Sequence, residues 1–372
     1  MDGVAGGFAA GSSRRRRLSP SLFVGIRGVA SPRDGDARTD SRKKDSGMLI
    51  SVVITNYNYG RFLGDAIDSV LSQTHSEVEC VVVDDGSTDN SRDVIASRPR
   101  VVAIFKENGG QAQALRTGVE AARGEIVISL DADDWLLPEA CARIAQSWRP
   151  GVVCLNYRLS LNGDREKIWP AEAFLEEGHA AFLAAYGYYP SAPMSGNAFD
   201  RDYVSTVLAR AAGLDGDGVD AYLLYSAPVF GKIAHVDDVL GVYRTHGGNV
   251  SMTSGRKTVR NLGDHAYYQY WAQQNAQRFA LERGVNLPRR DHLVGAYPSL
   301  WLLLAKDAGY DRRPLPDQSR LVTVAAAIKG FLLQPAIDPL RRAKNVGLLL
   351  VMALLPLAPR RWLADRIIFG GA

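Results

Sequence analysis

From residue 49 onward the sequence alternates between two hydrophobic periods, and that alternation constrains the fold more than any other feature. Residues 49–55, 78–83, 101–105 and 126–130 are short apolar runs rich in Val and Ile, with the length and branching of buried strands. Between them, residues 60–73, 87–96 and 111–122 read as amphipathic helices. The first carries Phe62, Ala66, Ile67, Val70 and Leu71 at helical spacing. The second is expected to open on Asp/Ser/Thr capping chemistry. Strands this apolar, separated by helices, predict a parallel α/β sheet covered on both faces. Ligands of such sheets bind beyond the carboxyl ends of the strands, so the polar residues just after each strand are where chemistry is expected.

Three strand ends stand out: Thr55-Asn56-Tyr57-Asn58-Tyr59-Gly60, Asp84-Asp85-Gly86-Ser87-Thr88-Asp89 and Asp131-Ala132-Asp133-Asp134. Asp131 and Asp133 alternate by one residue, so a nearly extended backbone aims both at one pocket. Carboxylate oxygens suit Mg²⁺ or Mn²⁺, whose shells phosphate and water complete. The same acidic loop also suits the start of a helix near Pro138, with Asp134 favoured by the helix dipole. Asp84 and Asp85 either accept hydrogen bonds from a base and ribose or form a plain strand-to-helix turn. Tyr57 is either an amphipathic edge residue or a face for a base to stack on.

Taken together and in this order, these stretches and Asn108-Gly109-Gly110 resemble family 2 glycosyltransferases over residues 49–251. The resemblance implies the α/β GT-A fold: a mainly parallel nucleotide-binding sheet flanked by helices, continuous with a smaller acceptor-binding half. It implies an inverting, metal-dependent transfer, with Mn²⁺ or Mg²⁺, of a hexosyl group from a nucleotide-diphosphate sugar. The acceptor would be a saccharide or lipid-linked hydroxyl in cell-surface polysaccharide or glycolipid synthesis. Position by position, Thr55, Tyr57, Asp84 and Asp85 match the nucleoside-binding places, and Asn108 belongs to the same donor side. Asp131 and Asp133 match the pair that meets ribose and metal-bound diphosphate, with Asp133 the direct ligand. The stretch Ala114-Leu115-Arg116-Thr117-Gly118 departs from a common family form, Ala-Arg-Asn-x-Gly. Arg116 there either contacts a phosphate or lies on the solvent face of its helix.

The second half supplies the acceptor side of the resemblance. Ser195-Gly196-Asn197 matches a stretch bordering the acceptor cleft, although Gly196 also suits a simple tight turn. Asp220 falls on the family's second acidic position, where Val219 replaces the preceding Glu. A carboxylate there would take the acceptor proton as general base. Asp220 also suits the N-cap of a helix over residues 221–229, and Asp215 and Asp217 are nearby alternates for the base. His246, in Tyr243-Arg244-Thr245-His246, is implied near the donor diphosphate, as a third metal ligand or a hydrogen-bond donor.

Outside this core the sequence says less. The chain of 372 residues carries a formal net charge of +4, but residues 1–47 hold ten basic and five acidic residues. The remainder holds 34 basic and 35 acidic residues, so no nucleic-acid partner is implied by charge. Residues 1–47 lack a sustained apolar period and read as a disordered leader, with Met48 an alternative start. Residues 48–251 form the expected catalytic domain and 252–372 a helical C-terminal region. There, residues 265–281 read as an aromatic-rich helix packed on the domain. The apolar run 346–357 is flanked by Arg341, Arg342, Lys344, Arg360 and Arg361. It is shorter than the roughly 20 residues a spanning helix needs. It reads either as a buried terminal helix or as one lying on a membrane, which would place the protein peripherally on the inner face. Three scattered cysteines, Cys80, Cys141 and Cys154, suggest buried thiols in the cytoplasm. Two other readings remain: a phosphatase of the haloacid-dehalogenase kind built on Ile128-Ser129-Leu130-Asp131-Ala132-Asp133, and a GT-A domain that binds nucleotide without turnover.

Overall fold

The computed structural model describes residues 47–211, 214, 218–246, 258–333 and 339–369. The leader, Asp215, Asp217 and the segment 247–257 lie outside the described residues.

The elements run β1 (Ile50–Asn56), α1 (Gly60–Leu71), β2 (Val78–Asp84), α2 (Ser91–Ala96), β3 (Val102–Phe105), α3 (Gln111–Ala121) and β4 (Ile126–Asp131). Then follow β5 (Trp135–Leu136), α4 (Ala140–Ser147), β6 (Val152–Leu161), β7 (Asp164–Trp169), α5 (His179–Tyr186) and β8 (Asn197–Asp200). The order continues with α6 (Arg201–Arg210), α7 (Val219–Phe230) and β9 (Lys232–Tyr243). Five helices close the chain: α8 (Val259–Glu282), α9 (Ala296–Asp307), α10 (Arg320–Leu333), α11 (Pro339–Leu354) and α12 (Leu357–Phe369).

The strands form one sheet in the order β3-β2-β1-β4-β8-β6-β9-β5, with β7 beside β6. Alternation along β1 shows why both faces are covered. Val53 joins a core with Leu115 and Val119 of α3 and with α6, α7 and α8, while Val52 and Ile54 join Leu63 and Ile67 of α1 on the other face. α3 lies close against the sheet because Gly118 has no side chain: a Cβ there would stand 2.3 Å from Val53 Cγ1.

Two expectations are corrected here. The sheet is mixed rather than mainly parallel. β3, β2, β1 and β4 are parallel, but β8 runs antiparallel to both β4 and β6, and β5 antiparallel to β9. Local hydrophobic period reports that a segment is extended, not which way it runs against its neighbour. The second concerns helix starts. α2 begins at Ser91, not residue 87: Ser87 bonds across to the β1 loop, and Asp89 accepts the Gly60 N–H with one carboxylate oxygen and the Ser91 N–H with the other. α7 begins at Val219 after Gly218 in a left-handed turn (φ 80°), so Asp220 sits in the first turn and is not the N-cap.

All three cysteines are buried and free. Burial pushes the Cys80 and Cys141 thiols up to about 12. Among the described residues no helix is long and apolar enough to cross a membrane.

Candidate active site

The first two strand ends are stitched into one rim. Asn56, buried at the end of β1, donates from Nδ2 to Asp84 Oδ2 (2.8 Å) and Ser87 Oγ (3.1 Å). Asn58, in the left-handed region (φ 59°), donates its N–H to Ser87 Oγ and accepts from the Thr88 N–H. Asp89 accepts the Gly60 N–H at the start of α1. Asp84 also accepts the Ser87 N–H, so its carboxylate is buried and committed to the protein. In this structure Asp84 braces β1 against the loop after β2.

Asp85 is buried in a different way. Its carboxylate accepts the N–H groups of Gly109 (3.0 Å) and Gly110 (2.8 Å) and an ion pair from Lys106 Nζ (2.5 Å). Asn108 donates from Nδ2 to the Asp85 carbonyl. Gly110 has φ 86°, a conformation glycine adopts without strain, and turns the chain into α3. Beside this cradle opens a cleft of about 450 Å³, lined by Gly86, Ser87, Arg92, Phe105, Lys106 and Asn108. Thr55 is half-buried at the same rim, and the Tyr57 ring is 48% exposed, free to be covered by a planar ligand. Arg116 is not drawn in: it lies on the exposed face of α3, paired with Glu120 at 3.6 Å.

The third strand end gathers carboxylates. Ligand atoms of Asp131, Asp133 and Asp134 all lie within 4.8 Å of one another. Asp131 is held by Gln111 Nε2, which donates to its Oδ1 (2.9 Å), and by its own N–H on Ser195 Oγ (3.1 Å). Burial, then the charges of Asp133 and Asp220, push Asp131 up to about 7, and burial raises Asp134 as well. Crowded like charges of this kind are the arrangement a divalent cation relieves, and hard carboxylate oxygens beside one imidazole fit such an ion.

Pairing of β5 with β9 carries the remaining parts in. Trp135 stands opposite Val242, which sets Arg244 and His246 against the acidic loop. The Arg244 N–H donates to Asp134 Oδ1 (2.9 Å), its Nε to the Asp133 carbonyl (2.8 Å) and its Nη2 to Asp65 (2.7 Å). His246 Nε2 lies 2.9 Å from Asp133 Oδ2, its ring packed on Phe62 with centroids 4.6 Å apart. Burial, then Asp133 and Asp131, hold the Tyr59 phenol up at about 12. Asp220, half-buried, accepts the Ala221 N–H (2.8 Å) and is raised by burial. Its charge is one of those that raise Asp131.

Ser195, Gly196 and Asn197, expected to border the acceptor cleft, make internal contacts in this structure. All three are buried, in the tight turn that leads into β8. Ser195 carries Asp131, while Asn197 Nδ2 donates to the Pro193 carbonyl (2.7 Å). A Cβ at Gly196 would sit 2.3 Å from Ala192 Cβ. Three residues at the site, Lys106, Gln111 and Arg244, were not singled out from sequence, and Asp134 was weighed only as a residue favoured at a helix start. Asp134 and Arg244 lie inside stretches that were singled out, but their contacts join positions over a hundred residues apart.

A family model, Glycosyl transferase family 2, matches residues 51–200. An uncharacterized glycosyltransferase of Nostoc sp. is 37% identical over 222 residues, covering 57% of this chain and 69% of that protein. The chain belongs to glycosyl transferase family 2. Membership fits its α/β domain of the GT-A kind followed by a helical extension, and it overturns the phosphatase reading. This transferase is also similar to glycosyltransferase GlyG of Streptococcus pneumoniae, 42% identical over 91 residues. That match spans 23% of the present chain and 30% of GlyG. Among solved structures, residues 1–349 of S. aureus TarS in complex with UDP-GlcNAc superpose with a TM-score of 0.49 and 17% identity, covering 86% and 91% of the two chains.

Proposed function

We propose that this transferase moves a sugar from a nucleotide-diphosphate sugar to an acceptor hydroxyl with inversion, in the assembly of a polysaccharide or glycolipid. The observation that carries the reading is the Asp131–Asp133–Asp134 cluster at the end of β4, with His246 on Asp133, and the charge of Asp220 acting on Asp131 supports it. Tyr57 supplies a stacking face for the base. The cradle of Asp85, Gly109 and Gly110 fixes the loop beside it. Asp133 and His246 would hold Mn²⁺ or Mg²⁺, with Asp131 behind them toward the ribose. Such a cation, when bound, offsets charge on the departing diphosphate.

Asp220 takes the acceptor proton as the new C–O bond forms on the anomeric carbon and the bond to the diphosphate oxygen breaks. Its raised proton affinity suits that task better than an ordinary exposed carboxylate would. Ser195 and Gln111 keep Asp131 in place while this occurs. Donors of this class are cytoplasmic metabolites, so we place the reaction in the cytoplasm, at the inner face of the membrane.

Calorimetric titration of UDP, GDP and dTDP, with and without Mn²⁺, tests the reading. Wild type should bind one of the three in a metal-dependent manner, and Asp133→Ala should lose that dependence. Absence of binding by all three would count against it, and so would equal binding by the variant.

A further inference from the structure

Among the described residues, the C-terminal helices leave one strip of apolar surface with nothing packed on it. α9, α10, α11 and α12 meet in a shared core through Leu303, Phe331, Leu349, Met352 and Ala364. On α11, Leu349 and Met352 face that core. Leu340 (82% exposed), Leu350 (51%), Val351 (50%) and Leu354 (86%) stand on the opposite side. At about 100° per residue these four fall within an arc of about 100° around exposed Gly347, with exposed Lys344 at its border. The concentration is local. Of fourteen large hydrophobic residues exposed among the described residues, ten lie between Leu321 and Trp362. Scattered apolar residues are ordinary on a protein surface, but a run of them on one helix marks a docking face.

Charge decides what docks there. α10, α11 and α12 together carry eight Lys and Arg residues and one acidic residue, Asp365; Arg320 and Arg360 pair with buried Asp307 of α9, which leaves six basic residues beyond that pair. Two copies of so cationic a face repel each other, whereas an anionic surface is attracted. α11 has 16 residues, so it spans about 24 Å, short of the roughly 30 Å hydrocarbon core of a bilayer. We propose that α11, with the exposed parts of α10 and α12, docks this protein on a bilayer containing anionic lipid. The apolar stripe enters the acyl boundary, and the basic residues meet the headgroups. This rests on the inner-face placement proposed above and gives it a surface, and its test does not involve transfer.

The full chain is floated with vesicles of phosphatidylcholine alone and with vesicles that also contain phosphatidylglycerol. Wild type should rise with the second kind only and be released by salt. Val351→Glu/Leu354→Glu and Lys344→Glu should each lower the partition coefficient, the double change by about tenfold or more. Both variants alter exposed side chains, and unchanged thermal melts and nucleotide titrations confirm that they fold. Flotation of the variants equal to wild type would overturn the proposal, as would no flotation of wild type or equal flotation on both vesicles. A dimeric wild type that Val351→Glu/Leu354→Glu makes monomeric, without lipid binding, would assign the stripe to a second copy and overturn it too. Failure here leaves the nucleotide titrations untouched, so the two readings fail separately.

Discussion

Asp85 and Asp131 both follow buried strands, yet they meet opposite surroundings. Asp85 is cradled by two backbone N–H groups and an ammonium, so its charge is satisfied within the protein. Asp131 is half-buried, and burial, then like charges, push its proton affinity up. The first arrangement holds a loop, and the second suits a divalent cation. Asp220 is the residue whose role is easiest to isolate. Asp220→Asn keeps the shape and the half-buried position but cannot take a proton. It should lower kcat by about 10²–10⁴-fold with donor affinity little changed. Steady-state product formation alongside donor titration checks this, and an unchanged kcat would move the base elsewhere. Asp131 and Asp133 could be singled out because two carboxylates one residue apart after an apolar strand form a short pattern, and His246 because the resemblance marks the stretch Tyr243-Arg244-Thr245-His246. Lys106 and Gln111 could not, since an ordinary Lys and Gln at a loop and a helix start carry no signal until the facing carboxylate is in view.

Element boundaries in the first half were legible because burial on both faces forces uninterrupted apolar runs. β1, β2 and β4 fall within a residue or two of the expectation. What could not be read were β5, two residues long, and the reversal at β8. Both are defined by a partner far along the chain rather than by their own composition. The α2 start was misread for a related reason: Ser87 has the chemistry of a cap but bonds Asn56 and Asn58, and Asp89 divides its carboxylate between Gly60 and Ser91. Spacing between elements leads to a sharper expectation at Gly118. Gly118→Ala would place a methyl 2.3 Å from Val53 Cγ1 and 3.1 Å from Val83 Cγ2. Lifting α3 off β1 and β2 should destabilise the protein by about 1–3 kcal/mol, despite the better helix propensity of Ala. Urea denaturation reads that cost. Because Gln111 opens the same helix, donor binding should weaken with it.

Across the whole molecule, acid sensitivity has an identifiable contributor away from the acidic cluster. His179 on α5 packs edge-on against Tyr189, and burial, then the nearby His235, lower its pKa from 6.5 to about 4. In the window between those values the unfolded chain binds the proton and the folded one does not. The stabilisation is therefore complete above pH 6.5 and is lost as pH falls toward 4, by about 2–3 kcal/mol in all. Thermal melts of His179→Phe should show a flatter loss of Tm over that interval than wild type. A parallel loss in both would assign the acid sensitivity to other groups. The pairing of β5 with β9 has a different kind of consequence, one that concerns synthesis. His246 meets Asp133 across 113 residues of sequence. A ribosome thus delivers every carboxylate of the cluster, and the complete parallel half of the sheet, well before the histidine exists. A nascent chain arrested anywhere in between holds the acidic cluster without its imidazole. The last strand of the sheet is what turns that partial site into a whole one.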